Sequence, residues 1–167
     1  HSHIDCIGLS WSTTGAICIP FTWRHGKPYW DTETESSIVY TLQELLTHPN
    51  IRIRWQNGLF DAQYIYKDWG FVPRHAQDTM ISHHTLWAES GGPMKQGAGE
   101  KKDTGTLGMR KSLDFQASLY APYYQYWKDE SGVGEGWEYN CTDCVYTRIV
   151  GEATAGFLND AGMASLD

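Results

Sequence analysis

An α/β domain built on a mixed sheet is what this sequence predicts, and three observations predict it. Two short apolar segments open the chain, Ile4–Trp11 and Ala16–Phe21, and Ser12-Thr13-Thr14-Gly15 between them carries a turn signal, so the pair reads as an antiparallel hairpin. From residue 32 onward, helix-like and strand-like patterns alternate. A hairpin followed by alternating elements calls for both antiparallel and parallel neighbours, hence a mixed sheet flanked by helices. The 167 residues suffice for a sizeable core, and the expected organisation is one domain over 1–167.

Each element has its own cause. In the first strand Ile4, Cys6 and Gly8 alternate with Asp5, Ile7 and Leu9, which suggests burial on both faces; Pro20 belongs near the end or edge of the second. Thr32 and Glu35 stand at capping-box spacing before Ile38, Val39, Leu42, Leu45 and Leu46, a stripe of helical period that His48-Pro49-Asn50 stops. Ile51, Ile53 and Trp55 alternate with Arg52 and Arg54 as a one-faced strand. Gln56-Asn57-Gly58 then turns the chain into a helix carrying Phe60, Tyr64 and Ile65, which Gly70 ends. Asp78 is placed to cap a helix over Met80, Ile81 and Trp87. Residues 88–108 hold six glycines and read as a long flexible loop; the bases Lys95, Lys101, Lys102, Arg110 and Lys111 fall in or just after it. Leu113, Gln116, Leu119 and Tyr120 predict a short helix, and a last one runs from Trp137 to Asp160 with Cys141, Val145, Ile149, Ala153 and Phe157 on one stripe.

Composition removes several classes of function. No apolar run approaches a membrane span, and no leader-like start precedes the first strand, so no membrane partner is expected. Thirteen Lys and Arg against twenty Asp and Glu give a net charge of −7, which argues against coating nucleic acid through a basic surface but suits a site that holds cations. The cysteines Cys6, Cys18, Cys141 and Cys144 are expected as reduced, half-buried thiols. Cys141-Thr-Asp-Cys144 has zinc or redox spacing, but it lies inside a long helical pattern and no second close pair follows in sequence. Adjacent helical residues point about 100° apart, so His83-His84 reads as one packed histidine beside a second, not as a metal pair.

Two places carry candidate chemistry. At Asn57-Gly58-Leu59-Phe60-Asp61 a carboxylate sits in the first turn of a helix leaving a strand. At Tyr139-Asn140-Cys141-Thr142-Asp143 a phenol and a carboxylate four apart share a helix face. Two carboxylates brought by separate elements to one cleft suit a hard divalent cation, and a phenol beside them can orient water; each pattern alone is also explained by helix-dipole or surface hydrogen bonding.

These segments, Trp55–Asp61 and Tyr139–Asp143, resemble the second and third motifs of the DEDDy proofreading exonucleases. The surrounding chain is similar to the 3′→5′ exonuclease domain of phage and bacterial family A DNA polymerases; Ile4–Trp11, Asp78-Thr79-Met80 with His83-His84, and Lys111-Ser112-Leu113 with Ala117–Tyr120 carry the rest of the likeness. The resemblance implies an RNase H-like fold and two Mg²⁺ or Mn²⁺ ions roughly 3.5–4 Å apart that activate water and steady the leaving oxygen. It implies Asp61 and Asp143 as metal ligands, Tyr139 as the residue positioning the attacking water, Gln56 and Asn57 as contacts to the terminal nucleotide, and Phe60 as a residue that helps shape its pocket. The implied substrate is the 3′ end of single-stranded DNA, the implied partner a polymerase domain following in the reading frame, and the implied location the cytoplasm of a bacterial or phage-infected cell. Asp78 is read as a supporting helix cap.

The family's first motif, Asp-x-Glu on the first strand, has no counterpart before Ile4. Asp31-Thr32-Glu33 has the right letters at a helix start, where capping and dipole account for them. The expectation is therefore an RNase H-like sheet lacking its first strand, in a fragment of a longer reading frame, with two of the four carboxylates. The alternatives are a non-cutting module that grips single-stranded nucleic acid by aromatic stacking, a zinc-binding domain using Cys141 and Cys144, and a nuclease of the same superfamily acting on RNA.

Overall fold

A computed structural model describes residues 3–23, 26–87, 111–129 and 136–163. The chain runs β1 (Cys6–Ser10), β2 (Ala16–Pro20), α1 (Thr32–Thr47), β3 (Arg54–Trp55), α2 (Gly58–Trp69), β4 (Gln77–Asp78), α3 (Thr79–Leu86), α4 (Leu113–Tyr120) and α5 (Trp137–Asp160). The glycine-rich stretch 88–108 lies outside the described residues.

The architecture is α/β, with one correction to the expected sheet. β1 and β2 pair antiparallel, with Gly8 opposite Cys18, while β3 and β4 pair parallel as a separate two-stranded sheet. Among the described residues no strand joins them. What connects them is packing: Ile7 and Leu9 of β1 and Ile53 and Trp55 around β3 pack against one buried cluster of Leu46, Ile65 and Phe71. A second cluster, Leu113, Ala117, Trp127, Tyr146 and Val150, binds α4 to α5.

Three local expectations shift. The first-strand residues are half-buried rather than enclosed on both faces. The cap of α1 is Asp31, one residue before Thr32; its carboxylate accepts from the backbone N–H groups of Glu33 and Thr34 at 3.1 and 3.0 Å. On α5 the buried line is Tyr146, Val150, Thr154 and Leu158, one residue on from the expected stripe. Cys141, Val145, Ile149 and Ala153 instead border an open groove shared with Thr13 and Tyr123, and Phe157 is exposed.

α5 crosses the hairpin where Gly8 has no side chain. A methyl at Gly8 would overlap Asn140 Oδ1 and Cys144 Sγ, so the close approach of helix and strand depends on that glycine. Gly8→Ala is expected to cost about 1–3 kcal/mol. Gly156, in the interior of α5 with open space where a methyl would go, is the contrast. Gly156→Ala is expected to raise stability by about 0.4–1 kcal/mol. Urea unfolding of the two variants checks both signs in one experiment; equal midpoints would contradict the packing at Gly8.

Candidate functional site

The parallel pair β3–β4 positions the first half of the site. After Trp55 the chain reverses at Asn57, whose φ of 58° lies in the left-handed region, and α2 begins at Gly58. Asparagine tolerates that conformation better than other non-glycine residues. The turn is held from below by Asp78, buried at the end of β4. Its carboxylate accepts from the backbone N–H of Asn57 at 3.0 Å, of Gly58 at 2.8 Å and of Met80 at 2.9 Å, the last of these capping α3. The expected cap role of Asp78 is therefore what its hydrogen bonds describe, and the same carboxylate also ties α3 to the start of α2. His75 Nε2 stands 3.7 Å from it.

On this turn Gln56 is spent internally. Its Nε2 donates to the Lys111 carbonyl at 2.9 Å, and its Oε1 accepts from Gln116 Nε2 at 3.2 Å and from the Thr79 hydroxyl. Both ends of the amide are engaged by the protein, so Gln56 braces the turn and leaves the outward positions to Asn57 and Phe60. Phe60 is 55% exposed, with its ring 4.9 Å from that of Tyr64. Leu59 beside it is more exposed still.

Asp61 stands in the first turn of α2 with an exposed surface. Protein packed around its carboxyl, and secondly the negative charge of Asp78, push its pKa up to about 6. A carboxyl shifted in this way at an accessible helix end is a candidate for a working group.

The second half lies on α5. Asp143 Oδ1 accepts from Trp127 Nε1 and from Lys128 Nζ, both at 2.7 Å, and Lys128 Nζ also donates to the Tyr139 hydroxyl at 2.9 Å. The ammonium lies 4.9 Å from the Trp127 ring centre and 4.8 Å from that of Tyr139, so two aromatic faces and a carboxylate surround it. Burial disfavours the charged lysine, but Asp143 and Tyr139 outweigh that and raise its pKa. Trp127 is fixed by stacking on Tyr146 at 4.2 Å, and Tyr146 in turn is tied through its hydroxyl to Gln125. No sequence pattern pointed to Lys128 or Trp127, because their partners lie 11 to 16 residues away on a helix.

The Cys144 thiol is pushed up to about 12, chiefly by burial, with the charges of Cys141, Asp143, Cys6 and Asp61 adding to the rise. All four cysteines gather here. Cys6 and Cys18 share the β1–β2 face that Cys144 covers, and their mutual influence lowers the Cys6 thiol and raises that of Cys18. They are thus the spatial pair that the sequence spacing did not show. Even so, among the described residues no three His, Cys, Asp or Glu side chains converge as a metal-holding group. The oxygen donors fit a hard ion of the kind that keeps most of its waters and takes one or two carboxylates, with Asp143 already holding a cation in the form of Lys128.

His83 is fully buried, its Nδ1 2.7 Å from the Tyr120 hydroxyl; burial lowers its pKa, so it packs as a neutral ring. No family model, curated protein or solved structure matches the chain.

Proposed function

We propose that the chain is a 3′→5′ exonuclease-type domain that takes the end of a single DNA strand at the mouth formed by the start of α2 and the Tyr139–Asp143 face of α5. One observation carries the reading: a phenol and a carboxylate four apart on α5 meet on a single cation, and the motif's other carboxylate, Asp61, stands exposed in the first turn of α2. The place is favourable too, since Asn57 and Thr79 follow the carboxyl ends of a parallel strand pair, where open α/β sheets bind ligands. The RNase H-like sheet belongs to the same proposal. Two separate two-stranded sheets, β1–β2 and β3–β4, are compatible with a sheet that lacks a central strand.

In this reading Asp61 and Asp143 would hold Mg²⁺ or Mn²⁺, which supplies Lewis-acid stabilisation of a phosphodiester when bound. Tyr139 holds water at its hydroxyl. Exposed Phe60 stacks on the terminal base, and Asn57 presents its side chain from the turn. A polymerase domain in the same reading frame remains part of the proposal. Among the described residues no helix is long and apolar enough to cross a membrane.

The second reading, a module that grips the strand without cutting it, is favoured by Lys128 standing on Asp143 and by the lack, among the described residues, of a third converging donor. A 5′-labelled single-stranded oligonucleotide with Mn²⁺ separates them. Stepwise shortening from the 3′ end, lost in Asp143→Asn and on chelation, supports the exonuclease. Retention without shortening supports the gripping module, and neither retention nor shortening overturns both.

A further inference from the structure

We propose that Lys128 is an internal cation that competes with divalent ions for the Tyr139–Asp143 pair and so sets how readily this site takes a metal; the inference rests on the exonuclease reading. An ammonium group has three N–H donors. Two of Lys128's are spent on Asp143 and Tyr139, the two groups on α5 that the reading assigns to the chemistry.

Both donors to Asp143 converge on one oxygen, Oδ1, and the aromatic faces of Trp127 and Tyr139 close around the same ammonium. The lysine therefore fills the space beside Asp143 with positive charge. A second cation bound to that carboxylate would lie a few ångström from the first, and in a partly buried site such a pair repels strongly. The ion can enter only if the ammonium swings away or if part of its affinity is lost.

The backbone offers no comparable freedom. Trp127 is stacked on Tyr146, and Gln125 is tied to the Tyr146 hydroxyl, so the segment that carries Lys128 is pinned to α5. The lysine side chain is the movable part: it is about a quarter exposed and has four rotatable bonds to swing through. Closed, it neutralises Asp143 without a metal. Open, it frees the carboxylate and the Tyr139 hydroxyl together, which couples ion entry to release of the group that positions water.

Titration of the whole chain with Mn²⁺, followed by the spin-resonance signal of the free ion, tests this. Lys128→Gln is expected to bind Mn²⁺ about tenfold or more tightly than the parent chain, the scale of one lost charge-assisted contact. Lys128→Arg, which keeps the cation, is expected to show no gain, and Asp143→Asn added to Lys128→Gln is expected to cancel it. A parent chain and Lys128→Gln of equal affinity, with binding still lost in Asp143→Asn, would overturn the competition and leave the exonuclease reading standing. Absence of Mn²⁺ binding in every variant would overturn both. The parent chain gives a readout that needs no folded variant: acylation of the Lys128 amine should quicken when Mg²⁺ is added, and an unchanged rate counts against displacement.

Discussion

Asp78→Ala is expected to destabilise the chain by about 3–5 kcal/mol, the largest effect of any single polar substitution described above. The buried carboxylate takes hydrogen bonds from three backbone N–H groups, those of Asn57, Gly58 and Met80. Truncation removes a charge-assisted acceptor from all three, removes the cap of α3, and releases the left-handed turn at Asn57. For a chain of this length that is a fall of about 10–15 °C in melting temperature. Asp78→Asn keeps the shape and one acceptor oxygen and is expected to lose less than half as much. Thermal unfolding followed by circular dichroism checks the pair; an alanine variant within about 1 kcal/mol of the parent would show that the turn is held by other contacts.

How far such a site could be read from sequence depended on where each partner lies in the chain. Asp78 as a cap was legible because a cap and the helix it starts are adjacent, and the limits of α5 were legible because its 24 residues carry a long apolar period that begins right after the glycine-rich 131–136. The buried face of α5 was not. Thr154 and Gly151 are buried there because Thr154 satisfies its hydroxyl on the Val150 carbonyl and Gly151 makes room for the Arg54 stem and for Gln77, and no apolar pattern records such contacts. β4 was missed for a related reason: Gln77 and Asp78 are polar, only two residues long, and become a strand through parallel pairing with Arg54 and Trp55. The motif makes Gln56 a contact to substrate, whereas its amide is consumed by Lys111, Thr79 and Gln116, of which only a folded chain gives notice. The same holds for Lys128. Tyr139 and Asp143 could be paired by helical spacing, but the cation between them arrives from an aromatic segment with no helical register to α5.

Asp61→Asn is expected to move stability and activity in opposite directions. In the folded chain the carboxyl has its pKa pushed up to about 6 by protein packed around it and by Asp78, against an ordinary value of 3.8. Between those values the folded state binds more protons than the unfolded state, so the parent chain loses stability as pH rises from about 4 to about 6, and above that window it carries the full penalty of an ionised, crowded carboxylate. The neutral amide has no such penalty. Melting curves of parent and variant should therefore agree below pH 4 and separate above pH 6, with Asp61→Asn higher by on the order of a few degrees, a modest gain because the residue keeps contact with water. If Asp61 holds a divalent ion, the same substitution removes the ligand and is expected to lower Mn²⁺-dependent release of nucleotides about a hundredfold or more. Asp78→Asn offers an internal check, since removing the neighbouring charge should bring the titration of Asp61 back toward the ordinary range. A variant at Asp61 that gains stability and keeps its nuclease activity would reduce the residue to a crowded helix-start carboxylate and leave Asp143 without a second ligand on α2. A charge that the fold tolerates at a cost in stability, and that a bound cation would relieve, is the physical reason to look for a metal at this helix start.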